Sequence, residues 1–196
     1  MQKISQVIPA AMQTEQAQRS SLSIAISARV TKTYGSRGDF LKMFNPDSQL
    51  KVVAKGDRCF FGTAPTLYEL NITYGCSMAK AWLIPQLFDL SEFCGCKDKL
   101  SARQMEQLAD IIALQYASLK ITEFMWFFNS FKSGKYGKFY GAVDPLVITT
   151  ALQDFMDERA QRIAKHQLDI EQAERAQWSI GAITYEEYQR MKQAAQ

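Results

Sequence analysis

Residues 121–145 read ITEFMWFFNSFKSGKYGKFYGAVDP. The first half is a block of large apolar groups: Ile121, Phe124, Met125, Trp126, Phe127, Phe128 and Phe131. At 3.6 residues per turn these positions spread over most of a helix circumference. A helix apolar nearly all round belongs in the middle of a bundle or at an interface. Gly134 predicts its end. The second half, from Gly134 on, reads as a basic turn punctuated by glycines. Asp144 followed by Pro145 predicts a new helix, because the carboxylate accepts from free amides and proline fits the first helical position.

The segments before this block read as helices that cover it. Residues 100–120 begin with Ser101 and carry Gln104 three positions on, a capping box. Met105, Leu108, Ile111, Ile112, Tyr116 and Leu119 follow at steps of one, three and four, which makes this the clearest amphipathic helix in the chain. Residues 77–95, SMAKAWLIPQLFDLSEFCG, predict a helix capped by Ser77 and ended by Gly95, with Trp82, Leu83, Leu87, Leu90 and Phe93 on its apolar side. Pro85 removes one backbone donor inside it, so a kink or a split is expected there. Residues 65–75 predict a short helix with Pro65 at its first position, behind Thr63 or Ala64, and Gly75 as its stop.

After the block, residues 145–178 form one long helical pattern. Leu146, Ile148, Ala151, Leu152, Phe155 and Met156 give its first half an apolar face. Beyond Arg159 the face thins to Ile163, Leu168 and Ile170 among charges, so this half is expected to project from the core. Gly181 can end it, and Thr184 with Glu187 forms a capping box for a last helix.

The front of the chain reads differently. Residues 1–20 are rich in Gln, Ser and Ala and predict loose order. In SLSIAISARV (residues 21–30), Leu22, Ile24, Ile26, Ala28 and Val30 alternate with small or polar groups, the period of a short strand or extended arm. SQLKVVAKGDRCFFG (residues 48–62) reads as a second extended segment around a Lys55-Gly56-Asp57 turn. The expected fold is mainly α: a helical bundle with a short extended N-terminal arm and a projecting C-terminal helix and hairpin. Its expected divisions are a basic, partly extended arm over 1–62, a helical core over 63–162 and a polar helical tail over 163–196.

Composition narrows the function classes. The 196 residues are 47% hydrophobic and 22% charged, ordinary for a globular protein. A net charge of +3 is too small by itself to indicate nucleic acid. Its distribution says more: residues 1–60 are basic by about five charges, whereas the region after Gln153 is slightly acidic. No apolar run approaches the roughly 18 residues of a membrane span, and the first residues show no signal-peptide core. A cytoplasmic protein without membrane contact is expected, with Cys59, Cys76, Cys94 and Cys96 reduced.

The basic turn is the best candidate site. Lys132, Lys135 and Lys138 interleave with Tyr136, Phe139 and Tyr140 and with glycines. Lysines neutralise phosphates, and exposed tyrosines stack on bases. Glycines let backbone amides approach an anion, and the helix beginning at Pro145 adds a positive end nearby. Asp144 opposes an anion at that helix start, and the Walker order of glycines, lysine and hydroxyl is absent. The plainer alternative is a connecting turn with packed aromatics and solvated lysines.

The four cysteines offer a weak zinc set, since Cys94-Gly95-Cys96 with two distant single cysteines departs from the usual paired spacing. Buried reduced thiols are the alternative. Catalytic chemistry has little to stand on. His166, the single histidine, sits among charges on the tail helix, and Glu69, Glu92, Glu123 and Asp144 are scattered or capping. Asp154, Asp157 and Glu158 read as a solvated face, and no nucleophile-elbow, kinase or dinucleotide fingerprint appears. No enzyme activity and no cofactor are expected.

Two resemblances add to this. Residues Pro65-Thr66-Leu67, Thr73-Tyr74-Gly75, Trp82-Leu83-Ile84, Ser91-Glu92-Phe93-Cys94-Gly95, Lys99-Leu100, Leu119-Lys120, Glu123 and Phe127-Phe128 carry the first. So, above all, does GKYGKFYGAVDPL over 134–146. In these, the run from Pro65 to Arg159 resembles a family of small helical proteins of Bacteroidetes genomes and their mobile elements. The succession of helices over 101–160 is also similar to small helical loaders and organisers of phage and plasmid replication, at the level of fold alone. The tail order Gly181-x-Ile183-Thr184-x-Glu186-Glu187-Tyr188 resembles short C-terminal helical hairpins of bacterial proteins that mediate oligomer or partner contacts. The resemblances imply a helical fold and a non-enzymatic accessory role, on nucleic acid or in mobile-element replication. The alternative is an interaction module that binds a protein partner, or a second copy through the hairpin, without nucleic acid.

Overall fold

The computed structural model describes residues 4–181 and 185–194, with side chains described over 17–178 and 190–194. Among these residues the secondary structure is helical, with two isolated bridges and no strand. The helices are α1 (Ile4–Tyr34), α2 (Arg37–Met43), α3 (Gln49–Val53), α4 (Arg58–Phe61), α5 (Leu67–Tyr74), α6 (Met78–Phe93), α7 (Ala102–Gln115), α8 (Ile121–Lys132), α9 (Pro145–Gly181) and α10 (Tyr185–Ala194). The chain forms two compact units, residues 1–151 and 152–196.

The first unit is built around α8. Ile121, Phe124, Met125, Phe127, Phe128 and Phe131 are buried, and Trp126 is half-buried against Phe60, with ring centroids 5.4 Å apart. α3, α4 and α6 pack on this helix, as its broad apolar face requires, while Asn129, Ser130 and Lys132 stay half-buried. The capping signals at Ser101 and Asp144 hold, whereas Ser77 stands at the N-cap of α6 without a side-chain cap bond. Ser101 and Gln104 form a reciprocal box at α7, and Leu146 N–H donates to Asp144 Oδ1 at 2.8 Å at the start of α9. α6 runs unbroken through Pro85, so the expected split does not occur. The N-cap of α5 is Thr66, which exchanges hydrogen bonds with Glu69, rather than Thr63 or Ala64. Pro65 therefore stands before the cap.

The extended arm is corrected outright. Residues 4–34 are one helix, α1, so the strand expected for 21–30 is not found; of the segment 1–20, the first three residues lie outside the described ones. Its inward side carries Ser23, Ile26, Ser27, Val30 and Tyr34, spaced three to four apart, while Leu22 and Ile24 face solvent. Two of the inward positions are serines, which hides the helical period and leaves an accidental alternation of two. Serine is tolerated there because its hydroxyl returns to the helix: Ser23 Oγ donates to Arg19 O at 2.9 Å. α1 packs along α5, fastened by an ion pair from Arg29 to Glu69 at 2.6 Å and a hydrogen bond from Arg29 to Thr63 O at 3.0 Å.

The second expected strand, 48–62, is also helical, as α3 and α4. Its pattern LKVV supplies Val52 to the core, and Cys59 and Phe60 follow seven and eight residues later from α4. Lys120 straps this segment to the start of α8: its Nζ donates to Phe60 O at 2.6 Å and Gly62 O at 2.8 Å. Thr122 Oγ1 donates to Cys59 O at 2.6 Å, and Leu67 N–H and Tyr68 N–H donate to Leu119 O and Ala117 O. An expected pair of strands is thus replaced by short helices whose free carbonyls are taken up by side chains from α8.

Along α9, Ile148, Ala151, Leu152 and Phe155 are buried, whereas Leu146 is 72% exposed. In the second unit the thinning face is found: Ile163, Leu168 and Ile170 are exposed among charged groups. Gly181 is the last residue of α9. The Thr184–Glu187 capping box falls on residues whose side chains lie outside the described ones.

Phe128 has no exposed surface, and its ring lies 5.3 Å from that of Phe127 and 6.5 Å from that of Phe124. Phe128→Ala is predicted to lower unfolding free energy by about 3–5 kcal/mol, because a cavity adds to the lost burial. A urea melt with an unchanged midpoint would contradict the central place of this side chain.

Candidate nucleic-acid interface

The turn leaves α8 at Ser133. Gly134 takes φ +84° and Gly137 φ +95°, left-handed backbone that glycine adopts without strain, and together they reverse the chain. The far end is pinned: Val143 N–H donates to Asp98 O at 2.9 Å, and Asp98 pairs with Ala142 in an isolated bridge. Three backbone amides of the turn are used internally. Gly134 N–H donates to Phe131 O, Lys135 N–H to Ser130 O and Gly137 N–H to Gly134 O. These three are closed to a ligand, and Asp144 holds the Leu146 amide at the start of α9.

The five expected site residues separate into two groups. Lys132 is only 17% exposed; it ion-pairs with Asp89 and donates to Gln49 Oε1 at 2.9 Å. Gln49 Nε2 in turn donates to Gln86 Oε1 at 2.7 Å, and Gln86 Nε2 and Trp82 Nε1 both donate to Phe44 O. Lys132 is thus the outer end of a polar chain that ties α3 and α6 to α8. Tyr136 packs on Phe127 and Phe131 with centroids at 5.4 Å and 6.0 Å, and Phe139 stacks on Phe131 at 5.3 Å. These aromatics extend the core.

Lys135, Lys138 and Tyr140 remain at the surface. Lys135 Nζ stands 5.6 Å from the Tyr136 ring centroid, a cation–π distance. Lys138 lines a cleft of about 400 Å³ with Phe93, Cys94, Phe131 and Phe139. Tyr140 is 90% exposed, the most open large apolar group of the turn. Two exposed lysines and an exposed aromatic ring on one turn can neutralise phosphates and stack a base. A neighbouring cleft of about 580 Å³, which shares Phe93 and Lys132, is lined also by Leu50, Asp89 and Asn129.

The cysteines are dispersed. Cys59 is buried and donates to Val52 O at 3.1 Å, Cys76 is exposed between α5 and α6, and Cys94 and Cys96 flank Gly95 at the end of α6. Among the described residues no three His, Cys, Asp or Glu side chains converge as a metal site would need. Burial pushes the Cys94 thiol above its ordinary value, Cys96 adds to the rise, and Lys132 opposes it. The extended reading of 48–62 also hid a set of cations: it puts Arg58 on the opposite face from Lys51 and Lys55, whereas the helical fold brings all three to the edge of one cavity.

Two predictions follow from this division of the lysines and thiols. Lys132→Ala is expected to destabilise the protein by about 1–3 kcal/mol, since Asp89 loses its partner in a partly buried place. Lys135→Ala and Lys138→Ala are expected to leave the thermal midpoint nearly unchanged. Equal shifts for all three would contradict the distinct role of Lys132. In timed alkylation near pH 8 read by mass spectrometry, Cys76 should react first. Cys94 should lag because its raised pKa leaves less thiolate at that pH, and Cys59 should react only on unfolding. Simultaneous labelling of Cys59 and Cys76 would contradict the packing of α4.

No curated protein and no solved structure matches the chain. A family model described as a family of unknown function, DUF6633, matches residues 99–196, half of the chain. The matched part starts at Lys99 rather than Pro65 and runs past Arg159 to Gln196, so it takes in α7, α8, the basic turn, α9 and α10. With half of its length matched by that model, the chain belongs to the DUF6633 family.

Proposed function

We propose that this is a non-enzymatic accessory protein that binds nucleic acid through the turn after α8. The carrying observation is the exposure of Tyr140, 90%, between Lys138 and the start of α9, when every other aromatic of the turn is packed. An exposed ring is open to stack on a base. Lys135 and Lys138 supply charge on the same turn. The resemblance to small proteins of Bacteroidetes mobile elements gives the setting: replication or maintenance of such an element, in the cytoplasm. Among the described residues no helix is long and apolar enough to cross a membrane.

A second reading is favoured by a different observation. Leu50, 71% exposed, and Phe93, 61% exposed, line the cleft beside Lys132 and Asp89. Exposed apolar groups at a cleft fit a protein-interaction module. In that reading the contact falls on this cleft, or on the C-terminal hairpin with a partner or a second copy.

Fluorescence anisotropy with labelled single- and double-stranded oligonucleotides at low and moderate salt separates the two. The nucleic-acid reading expects binding that weakens as salt rises. Replacing Lys135 and Lys138 together by Ala should lower the slope of log affinity against log salt by roughly one to two units. Tyr140→Ala should weaken single-strand binding by about 1–3 kcal/mol. A folded protein that binds neither oligonucleotide at low salt leaves only the interaction module.

A further inference from the structure

A second basic site lies at the other end of α8. The segment from Tyr34 to Ala64, with Thr122, encloses a cavity of about 440 Å³, within the size range of small-molecule sites. Lys51, Lys55 and Arg58 line it, all three exposed, and no carboxylate among the described residues does. Among the described residues none of the three stands in an ion pair. Arg29 already holds the nearby Glu69. Of the four lining hydroxyls, Thr122 donates to Cys59 O and Ser48 to Asn45 Oδ1, and those of Tyr34 and Thr63 bond to each other. The three cations are the charged donors at the opening. The floor is apolar, with Phe44 and Val52 buried beneath the opening.

Three like charges around one small cavity repel each other, and an anion placed among them offsets that repulsion by its attraction to all three. The guanidinium of Arg58 offers a planar fork that matches phosphate oxygens, and the two lysines act as point charges beside it. A purely inorganic anion would leave the apolar floor uncovered, so the ligand should carry a flat or apolar part as well. We propose that this cavity binds the phosphate of a nucleotide, free or at one position of a strand, with Lys51, Lys55 and Arg58 on the phosphate and Phe44 and Val52 under the less polar part. This site does not depend on the turn. Thr122 and Lys132 stand at the two ends of α8, about 15 Å apart along the axis at 1.5 Å per residue.

The test uses the full chain at low salt with two probes: a fluorescent ribose-labelled ATP and a labelled single-stranded oligodeoxynucleotide. Expected is one-to-one binding of at least one probe, displaced by pyrophosphate and weakened about tenfold or more in the Lys51→Gln, Lys55→Gln, Arg58→Gln variant. Binding of ATP assigns a free nucleotide; binding of the oligonucleotide alone, with the same loss in the variant, assigns a strand. The Lys135→Ala, Lys138→Ala variant should keep this binding, which separates it from the turn. A footprint on the wild-type protein removes any dependence on how the variant folds. Acetylation of Lys51 and Lys55, read by mass spectrometry, should fall when pyrophosphate is added. The proposal is overturned if neither probe binds, if the triple variant binds as well as wild type, or if pyrophosphate leaves both lysines equally reactive.

Discussion

α8 buries most of its surface, and the first unit is organised by that constraint. Phe124, Phe127, Phe128 and Phe131 recur at i, i+3, i+4 and i+7 on one side of the helix, Ile121 and Met125 widen that side, and all six are buried. Apolar surface of this extent contributes roughly 25 cal/mol for each Å² removed from water, so cover over this broad face is strongly favoured. α6 supplies part of it, and α3 and α4 supply the rest. The two ends of α8 are where the cover is fastened. Lys120 holds the carbonyls of Phe60 and Gly62 at one end, and Lys132 holds Gln49 and Asp89 at the other. Both lysines work through charge-assisted hydrogen bonds in partly buried places, where such bonds are worth more than at the open surface.

This fastening also decides what the turn has left to offer. A turn that follows an aromatic helix inherits the task of closing its end, and Tyr136 and Phe139 do so by packing on Phe127 and Phe131. The backbone amides close on the carbonyls of the last helical turn. Lys138 and Tyr140 stay exposed beyond this closure, and Lys135 lies over the Tyr136 ring.

The distribution of positive charge is similarly sorted by the fold. Arg29 is engaged with Glu69 and Lys132 with Asp89, so two cations that look available in the sequence hold elements together. Lys51, Lys55 and Arg58, which a strand reading scatters, are gathered at one opening. The polar chain from Phe44 O through Gln86 and Gln49 to Lys132 crosses between the two basic regions. Among the described residues no buried side-chain nitrogen or oxygen lacks a partner, as a well-packed interior demands.

The sequence by itself determined the helices from Leu67 onward. Their signals are local: a capping box at Ser101, a single cap at Asp144, glycines at Gly75, Gly95 and Gly134, and apolar residues at helical spacing. It also placed the glycine-rich turn between α8 and α9, since stop and start signals bracket it. Only the tertiary structure decided the N-terminal segment. Ser23 and Ser27 sit on the inward side of α1, and period two and period 3.6 cannot be told apart when small polar residues occupy buried positions. α3 and α4, of five and four residues, are too short to hold by propensity and are helical because they pack on α8. The exposure of individual side chains was likewise settled by packing. Lys132 and Lys138 look alike in sequence, and what separates them is that Asp89 and Gln49, more than forty and eighty residues earlier, fold back to meet the first.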